Sequence, residues 1–152
     1  MQNNKGNSIN LLIYYNFLIK LSKKLNKFYF LNSHKKFNIK NKSKNGKYDP
    51  VTIFDKSFEK IITKEIKRKF IGHSILGEEY GLIKKKNSYY KWIIDPIDGT
   101  KSFIAGNPTW CNLIGLDYKN FPIFGLANFP KLEKFYIGTR NKAFVFIKNK
   151  KY

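Results

Sequence analysis

Apolar residues in the first half of the chain recur at intervals of three and four, the spacing that places them along one face of a helix. The first such run predicts a long amphipathic helix over residues 11–28, and the second predicts a helix over residues 55–69 that Gly72 ends. The apolar positions are Leu11, Tyr14, Tyr15, Leu18, Leu21, Leu25 and Phe28 in the first run and Phe58, Ile61, Ile62, Ile66 and Phe70 in the second.

Shorter apolar runs, bounded by glycine, proline and asparagine, follow the second helix and predict strands. One strand covers residues 74–76 and another covers residues 90–94, where Pro96 is expected to stop the ladder. Between the two helices, Asn45-Gly46 predicts a tight turn with a short strand on each side. An antiparallel meander is expected from four later runs, which are residues 112–117, 123–128, 134–137 and 143–147. Helices followed by strands favour the α+β class, with the N-terminal helices packed on an antiparallel sheet.

Length and composition are those of one folded domain over residues 1–152, with a polar start at residues 1–8 that we expect to be disordered. The chain is 42% hydrophobic, which is enough to bury a core. No apolar run approaches the roughly 20 residues that a bilayer crossing needs, so no membrane span is expected. Cys111 is the single cysteine, which excludes an intramolecular disulfide and fits a reducing, cytoplasmic location.

The charge balance is strongly basic, with 30 Lys+Arg against 10 Asp+Glu and a formal net charge of +20. Such a charge attracts polyanions. All but two of the basic residues are lysines, the exceptions being Arg68 and Arg140, whereas bidentate contacts to bases and phosphates favour arginine. We therefore expect no specific nucleic-acid partner and attribute the charge to composition.

The ten acids are scarce enough that their positions are informative. Asp95 and Asp98 lie three residues apart, at the end of a predicted strand and before a helix expected to start near Thr100. Two carboxylates about 4 Å apart repel by on the order of 4 kcal/mol at an effective dielectric constant near 20, so this turn needs a cation or a proton. Oxygen ligands select Mg²⁺ or Mn²⁺. The alternative is an ordinary loop in which the aspartates accept backbone hydrogen bonds.

Neighbouring segments favour the metal interpretation. Glu78 and Glu79 form a second acid pair at the end of a predicted strand, and Asp55 lies at the start of the second helix. Thr100 lies where a helix N-terminus could face an anion. A metal cluster beside an anion-binding helix end is the layout of a phosphoryl-transfer site.

Three segments together carry a family resemblance: residues 49–55 (Asp-Pro-Val-Thr-x-x-Asp), 76–79 (Leu-Gly-Glu-Glu) and 92–100 (Trp-Ile-Ile-Asp-Pro-Ile-Asp-Gly-Thr). In order and spacing they resemble the inositol monophosphatase superfamily of Mg²⁺-dependent phosphomonoesterases. Residues 101–110 are most similar to the histidinol-phosphatase branch. The resemblance runs from the first helix to Gly138 and implies the first half of a layered αβαβα sugar-phosphatase fold.

The resemblance also implies a role for each acid. Glu78, Asp95 and the carbonyl of Ile97 correspond to ligands of a first metal ion, and Asp95 and Asp98 to ligands of a second. Asp55 corresponds to the acid near a third ion and its water. Family members use two or three Mg²⁺ ions.

Two further assignments follow from the same resemblance. Glu78 and Thr100 correspond to the pair that orients a metal-bound water for attack, and the amides of Gly99 and Thr100 correspond to the phosphate-binding groups. Glu79 is expected to support its neighbours rather than to bind metal. The implied reaction is hydrolysis of histidinol phosphate to histidinol and phosphate. Inositol phosphates and nucleotide bisphosphates remain open as substrates.

The chain ends at Tyr152, whereas members of this superfamily continue with a second α/β layer. That layer supplies a further aspartate ligand of the second ion, so we expect the second site to be weakened and the sheet to expose an apolar face. A small phosphorylated metabolite is the expected partner, and a homodimer is left open for a completed chain. The competing interpretation is an inactive remnant whose basic surface binds polyanions.

Overall fold

The computed structural model describes residues 11–42, 50–148 and 150–152. Helix α1 spans Leu11–Asn32 and helix α2 spans Ile53–Lys69, which confirms both predicted helices. Strands β1 (Ile39–Asn41) and β2 (Pro50–Thr52) pair antiparallel, as predicted for the segments around the tight turn. The Asn45-Gly46 turn itself and the expectation of disorder at residues 1–8 lie outside the described residues.

The start and end of α2 have local causes. The Thr52 side chain accepts a hydrogen bond from the Phe54 amide at 3.1 Å, and Asp55 Oδ2 accepts one from the Thr52 amide at 2.7 Å. This reciprocal capping box satisfies amides that the first turn of a helix leaves unpaired. The Phe70 amide makes the last helical hydrogen bond, to the Ile66 carbonyl. The chain then leaves the helical conformation, so the helix ends at Lys69, before Gly72.

The remaining strands of the described residues form one eight-stranded sheet. Helix α3 (Thr100–Ile104) begins at Thr100 as predicted, and a 3₁₀ turn (Pro130–Leu132) follows the seventh strand. In chain order the strands are β3 (Ser74–Gly77), β4 (Gly81–Ile83), β5 (Tyr90–Asp98), β6 (Cys111–Tyr118), β7 (Phe121–Phe129), β8 (Lys134–Thr139), β9 (Ala143–Ile147) and β10 (Lys150–Lys151). Their spatial order in the sheet is β10-β9-β8-β7-β6-β5-β3-β4.

The α+β class and the antiparallel meander of β6 to β9 are confirmed, but the sheet is mixed rather than antiparallel throughout. β3 pairs parallel with β5, with Gly77 opposite Ile94. The chain reaches this arrangement by adding β4 antiparallel to the outer side of β3 and then crossing to the inner side. The carboxyl ends of two parallel strands lie at the same edge of a sheet, so the acids at the ends of β3 and β5 meet there.

The prediction that Pro96 stops β5 is wrong. The strand continues to Asp98, and between the pairs Asp95↔Leu113 and Asp98↔Cys111 it contains one residue more than β6. Such a bulge tolerates proline, because the extra residue has no ladder bond to donate. The Pro96 carbonyl instead accepts a hydrogen bond from the Asn112 side chain at 2.6 Å.

The core lies between α1, α2 and one face of the sheet. From the helices it contains Leu18, Leu21, Leu25, Phe58 and Ile62, and from the sheet Trp92, Ile94, Ile114, Leu116, Phe135 and Ile137. Side chains on the other face alternate with these. Among them, Leu76, Ile93 and Tyr136 are 39%, 39% and 40% exposed, as expected for an apolar face in contact with water.

An aromatic cluster closes one end of this core. The Trp92 indole donates to His73 Nδ1 at 3.0 Å, so the neutral imidazole carries its proton on Nε2. The His73 ring stacks on Tyr90 at 4.4 Å and on Phe70 at 5.0 Å. Burial lowers the pKa of His73 to about 4.

We expect this cluster to make stability sensitive to acid. The folded-state pKa of His73 lies below its ordinary value of 6.5, so stabilisation is complete above pH 6.5 and is lost as pH falls towards 4. With allowance for partial exposure of the ring, the loss is on the order of 2 kcal/mol. Urea unfolding at pH 7 and pH 5 measures it. His73→Phe keeps the stacking and should show a smaller decline between these pH values, and equal declines would contradict the assignment.

Candidate metal and phosphate site

The acids singled out by the sequence meet at the edge where β3 and β5 end. Glu78 follows β3 directly, and its amide donates to the Ile94 carbonyl at 3.2 Å. Asp95 and Asp98 come from the bulged end of β5. The parallel pairing therefore places the Glu78 turn beside the strand that carries Asp95.

Asp95 is at the centre of the negative charge. Burial and, to a smaller extent, the nearby carboxylates of Glu78 and Asp98 together raise its pKa to about 7. Asp95 Oδ1 is buried and has no hydrogen-bond partner in the part of the chain that the structure describes. An unpaired carboxylate oxygen among like charges is stabilised either by a proton or by a cation.

A second group of oxygens forms around the start of α3. Asp55 is 1% exposed, and its Oδ1 lies 3.5 Å from the Thr100 hydroxyl. That hydroxyl donates to the Ile97 carbonyl at 3.0 Å. Burial raises the pKa of Asp55, although hydrogen bonds from Thr52 and the charge of Lys42 act in the opposite direction. Thr100 thus links the start of α2 to the bulge of β5.

Lys42 brings a positive charge to this edge. Its Nζ lies 3.1 Å from Glu78 Oε1 and also contacts Glu79 Oε1. The Glu79 side chain is 4% exposed, and burial raises its pKa. Sequence reasoning did not identify Lys42, because one lysine among so many carries no signal of its own.

Gly99 and Cys111 have different structural roles beside the acids. Gly99 precedes α3 with φ 84° and ψ 42°, a left-handed conformation that glycine adopts without steric cost. The Cys111 sulfur lies 3.8 Å from Asp98 Oδ2. Burial and the charges of Asp98 and Asp95 raise the pKa of Cys111 to about 12, so this side chain is a thiol and not the thiolate that a cysteine nucleophile requires.

Buried asparagine side chains, which no sequence pattern indicated, support the bulge of β5 through hydrogen bonds. Asn112 and Asn128 are both fully buried. The Asn128 amide donates at 2.9 Å to the side-chain oxygens of Asn112 and Asn26, and Asn112 donates to Pro96. This chain of amides connects α1 with the segment between Asp95 and Asp98.

The donor set suits a hard cation, although it is not a closed cage. Within residues 11–42, 50–148 and 150–152, no three acidic, histidine or cysteine side chains enclose a point where a metal could lie. Mg²⁺ needs fewer protein groups than that, because it binds through one or two carboxylates and keeps several waters. The unpaired Asp95 oxygen, with Glu78 and Asp98 nearby, fits such an ion.

Each helix within residues 11–42, 50–148 and 150–152 is either too short or too polar to span a bilayer.

Several known proteins are similar to this chain in sequence or in fold. The bifunctional phosphatase IMPL2, chloroplastic, of Arabidopsis thaliana is 42% identical over 109 residues, which cover 71% of this chain and 31% of that protein. The histidinol-phosphatase of Chlorobaculum parvum is 40% identical over 94 residues, 62% of this chain and 36% of that protein. A solved Thermotoga maritima IMPase has a TM-score of 0.75 at 28% identity, covering 90% of this chain and 52% of that one.

Each of these matches covers only part of the other protein. The chain spans about half the length of the solved structure and under two fifths of the curated relatives just named. The family model for the inositol monophosphatase family matches residues 12–150, which is nearly the whole chain. The matched range includes β3 and β5, and the fold agrees with the motif resemblance. The chain belongs to the inositol monophosphatase family.

Proposed function

We propose that this chain carries the metal- and phosphate-binding part of a Mg²⁺-dependent phosphomonoesterase that acts on histidinol phosphate. The observation that carries the proposal is the unpaired, buried Asp95 oxygen between two further carboxylates. The substrate assignment is supported by residues 101–110 and by the relative named histidinol-phosphatase. Another relative, from Aquifex aeolicus, is named fructose-1,6-bisphosphatase/inositol-1-monophosphatase, so inositol phosphates and sugar bisphosphates are the competing substrates.

The proposed metal ligands are Glu78, Asp95, Asp98 and the Ile97 carbonyl, with Asp55 close to a further ion. A bound Mg²⁺ would supply Lewis acidity and lower the pKa of a coordinated water. Asp95 is the ligand assigned to two ions. Its central position among the acids supports that assignment.

The chain's own groups would orient the reactants. We assign Thr100 and Glu78 to the attacking water: the Thr100 hydroxyl is fixed at the Ile97 carbonyl, and the Glu78 side chain is 46% exposed. The amides of Gly99 and Thr100 are assigned to the phosphate. Cys111 has no part in the reaction, because its thiol is protonated at neutral pH.

Substitution of Asp95 should separate metal binding from folding. In Asp95→Asn we expect Mn²⁺ affinity to fall about 100-fold or more, since loss of a residue that merely supports a ligand already costs roughly 10–100-fold. Thermal stability without metal should be kept or raised, because a buried charge has been removed. Calorimetric titration with Mn²⁺ and thermal unfolding measure the two effects.

Two controls accompany this variant. Asp117→Asn makes the same chemical change near the opposite end of β6, where Asp117 lies 3.6 Å from Lys91, and it should leave Mn²⁺ affinity unchanged. Cys111→Ser should also bind Mn²⁺ nearly as the wild type does. Equal affinities in Asp95→Asn and the wild type would contradict the metal assignment.

The substrate assignment predicts an order of reactivity. Phosphate release with Mg²⁺ should be fastest from histidinol phosphate, with inositol monophosphate and fructose 1,6-bisphosphate at least about tenfold slower, a difference of roughly 1.4 kcal/mol in transition-state binding. Release should stop on addition of EDTA. A faster rate with another member of the panel would overturn the substrate, and release unaffected by EDTA would overturn the metal mechanism.

A further inference from the structure

We infer that Glu59 is a positioning residue that holds the Glu78 turn against α2. The inference rests on the proposed function, in which Glu78 binds metal. The Glu59 side chain is 1% exposed and accepts hydrogen bonds from two consecutive amides. Its Oε2 lies 2.7 Å from the Glu79 amide and its Oε1 lies 3.0 Å from the Tyr80 amide.

This contact fixes the turn from the helix side. Asp55 and Glu59 lie four residues apart and therefore on one face of α2. Asp55 approaches Thr100, and Glu59 binds the main chain just after Glu78. α2 thereby sets the separation between the start of α3 and the Glu78 turn. On the sheet side, the Glu78 amide is bonded to Ile94, so the main chain of the turn is held from two directions.

Gly77 lies against the Glu59 carboxylate and is part of the same contact. A Cβ atom at this position would lie 1.8 Å from Glu59 Oε1 and 2.4 Å from Glu59 Cδ, well inside any real contact. Gly77 is not among the glycines with positive φ, so its backbone does not require glycine. The missing side chain makes room for the Glu59 carboxylate.

A buried carboxylate is a costly way to satisfy two turn amides, because desolvating a charge costs far more than desolvating an amide. The carboxylate makes the turn more rigid, because charge-assisted hydrogen bonds are about twice as strong as neutral ones. A metal ligand on a turn needs its backbone held in place, whereas an ordinary hairpin does not. We therefore connect the Glu59–Gly77 pair to the placement of Glu78.

The test compares Glu59→Gln with Glu65→Gln in the full chain. Glutamine keeps the shape of Glu59 but offers one acceptor oxygen to two amides. Glu65 is a matched control, a buried glutamate on the same helix that pairs with Lys24 and Arg68 instead. We expect Glu59→Gln to weaken Mn²⁺ binding about tenfold and to speed hydrogen exchange at the Glu79 and Tyr80 amides, while Glu65→Gln changes neither.

A second pair of variants separates positioning from folding. Gly77→Ala alone should unfold at a lower temperature, because its new Cβ clashes with Glu59. Glu59→Ala with Gly77→Ala removes the clashing atoms, so thermal stability should recover relative to Gly77→Ala while Mn²⁺ affinity stays low. Recovery of stability and Mn²⁺ affinity together would overturn the positioning role.

The outcomes distinguish this inference from the proposed function. Wild-type Mn²⁺ affinity in a folded Glu59→Gln, with faster exchange at the two amides, would show that Glu59 has a structural role only. Unchanged exchange in that variant would show that its carboxylate does not hold the turn. A wild-type chain that binds no Mn²⁺ would overturn the metal assignment of Glu78 and the positioning role with it, a result separate from either of the first two.

Discussion

The parallel pairing of β3 with β5 creates the electrostatic constraint on which the rest of the site depends. It delivers Glu78 and Asp95 to the same edge of the sheet, where the bulge adds Asp98. Like charges held together and partly removed from water destabilise the folded chain unless a cation or a proton compensates them. The pKa of Asp95 is raised first by burial and then by this repulsion from Glu78 and Asp98. Negative charge concentrated in this way is what the proposed divalent cation would compensate.

The surroundings of the acids restrain the main chain more than they neutralise it. Lys42 brings a positive charge to Glu78 and Glu79. The other contacts are hydrogen bonds of buried polar groups, in which Thr52 binds Asp55 and Asn112 binds the Pro96 carbonyl. Buried hydrogen bonds of this kind are stronger than those in water and hold the groups that they join in place. The position of each acid is therefore set by groups that need not contact a metal.

The large positive charge of the chain and its small acidic site are separate features. Lysines are spread along the whole sequence, and pairs such as Lys91 with Asp117 involve partly exposed groups whose net contribution to stability is small. Lys42 differs because the carboxylate of Glu79 beside it is nearly buried. Burial, rather than the number of charges, decides which ion pairs affect the site.

Local sequence patterns predicted the structural features that depend only on neighbouring residues. The three- and four-residue spacing predicted α1 and α2, short apolar runs between turn residues predicted the meander, and the motif from Asp95 to Thr100 indicated the acids and the start of α3. These features follow from helical period, strand propensity and turn chemistry, which a few adjacent residues determine. The short motifs that contain these acids also carry the family resemblance, which therefore depends on the sequence alone.

Tertiary structure decided the features that depend on distant partners. The parallel pairing of β3 is a contact across the crossover to β5, and proline is accepted in β5 only because a bulge opposite β6 removes the need for its missing N–H. Lys42 and Glu59 became recognisable only when folding placed them beside Glu78 and Glu79, because neither has a distinctive local sequence. Contacts between residues 20 or more apart depend on how whole elements pack, and a local pattern contains no information about that packing.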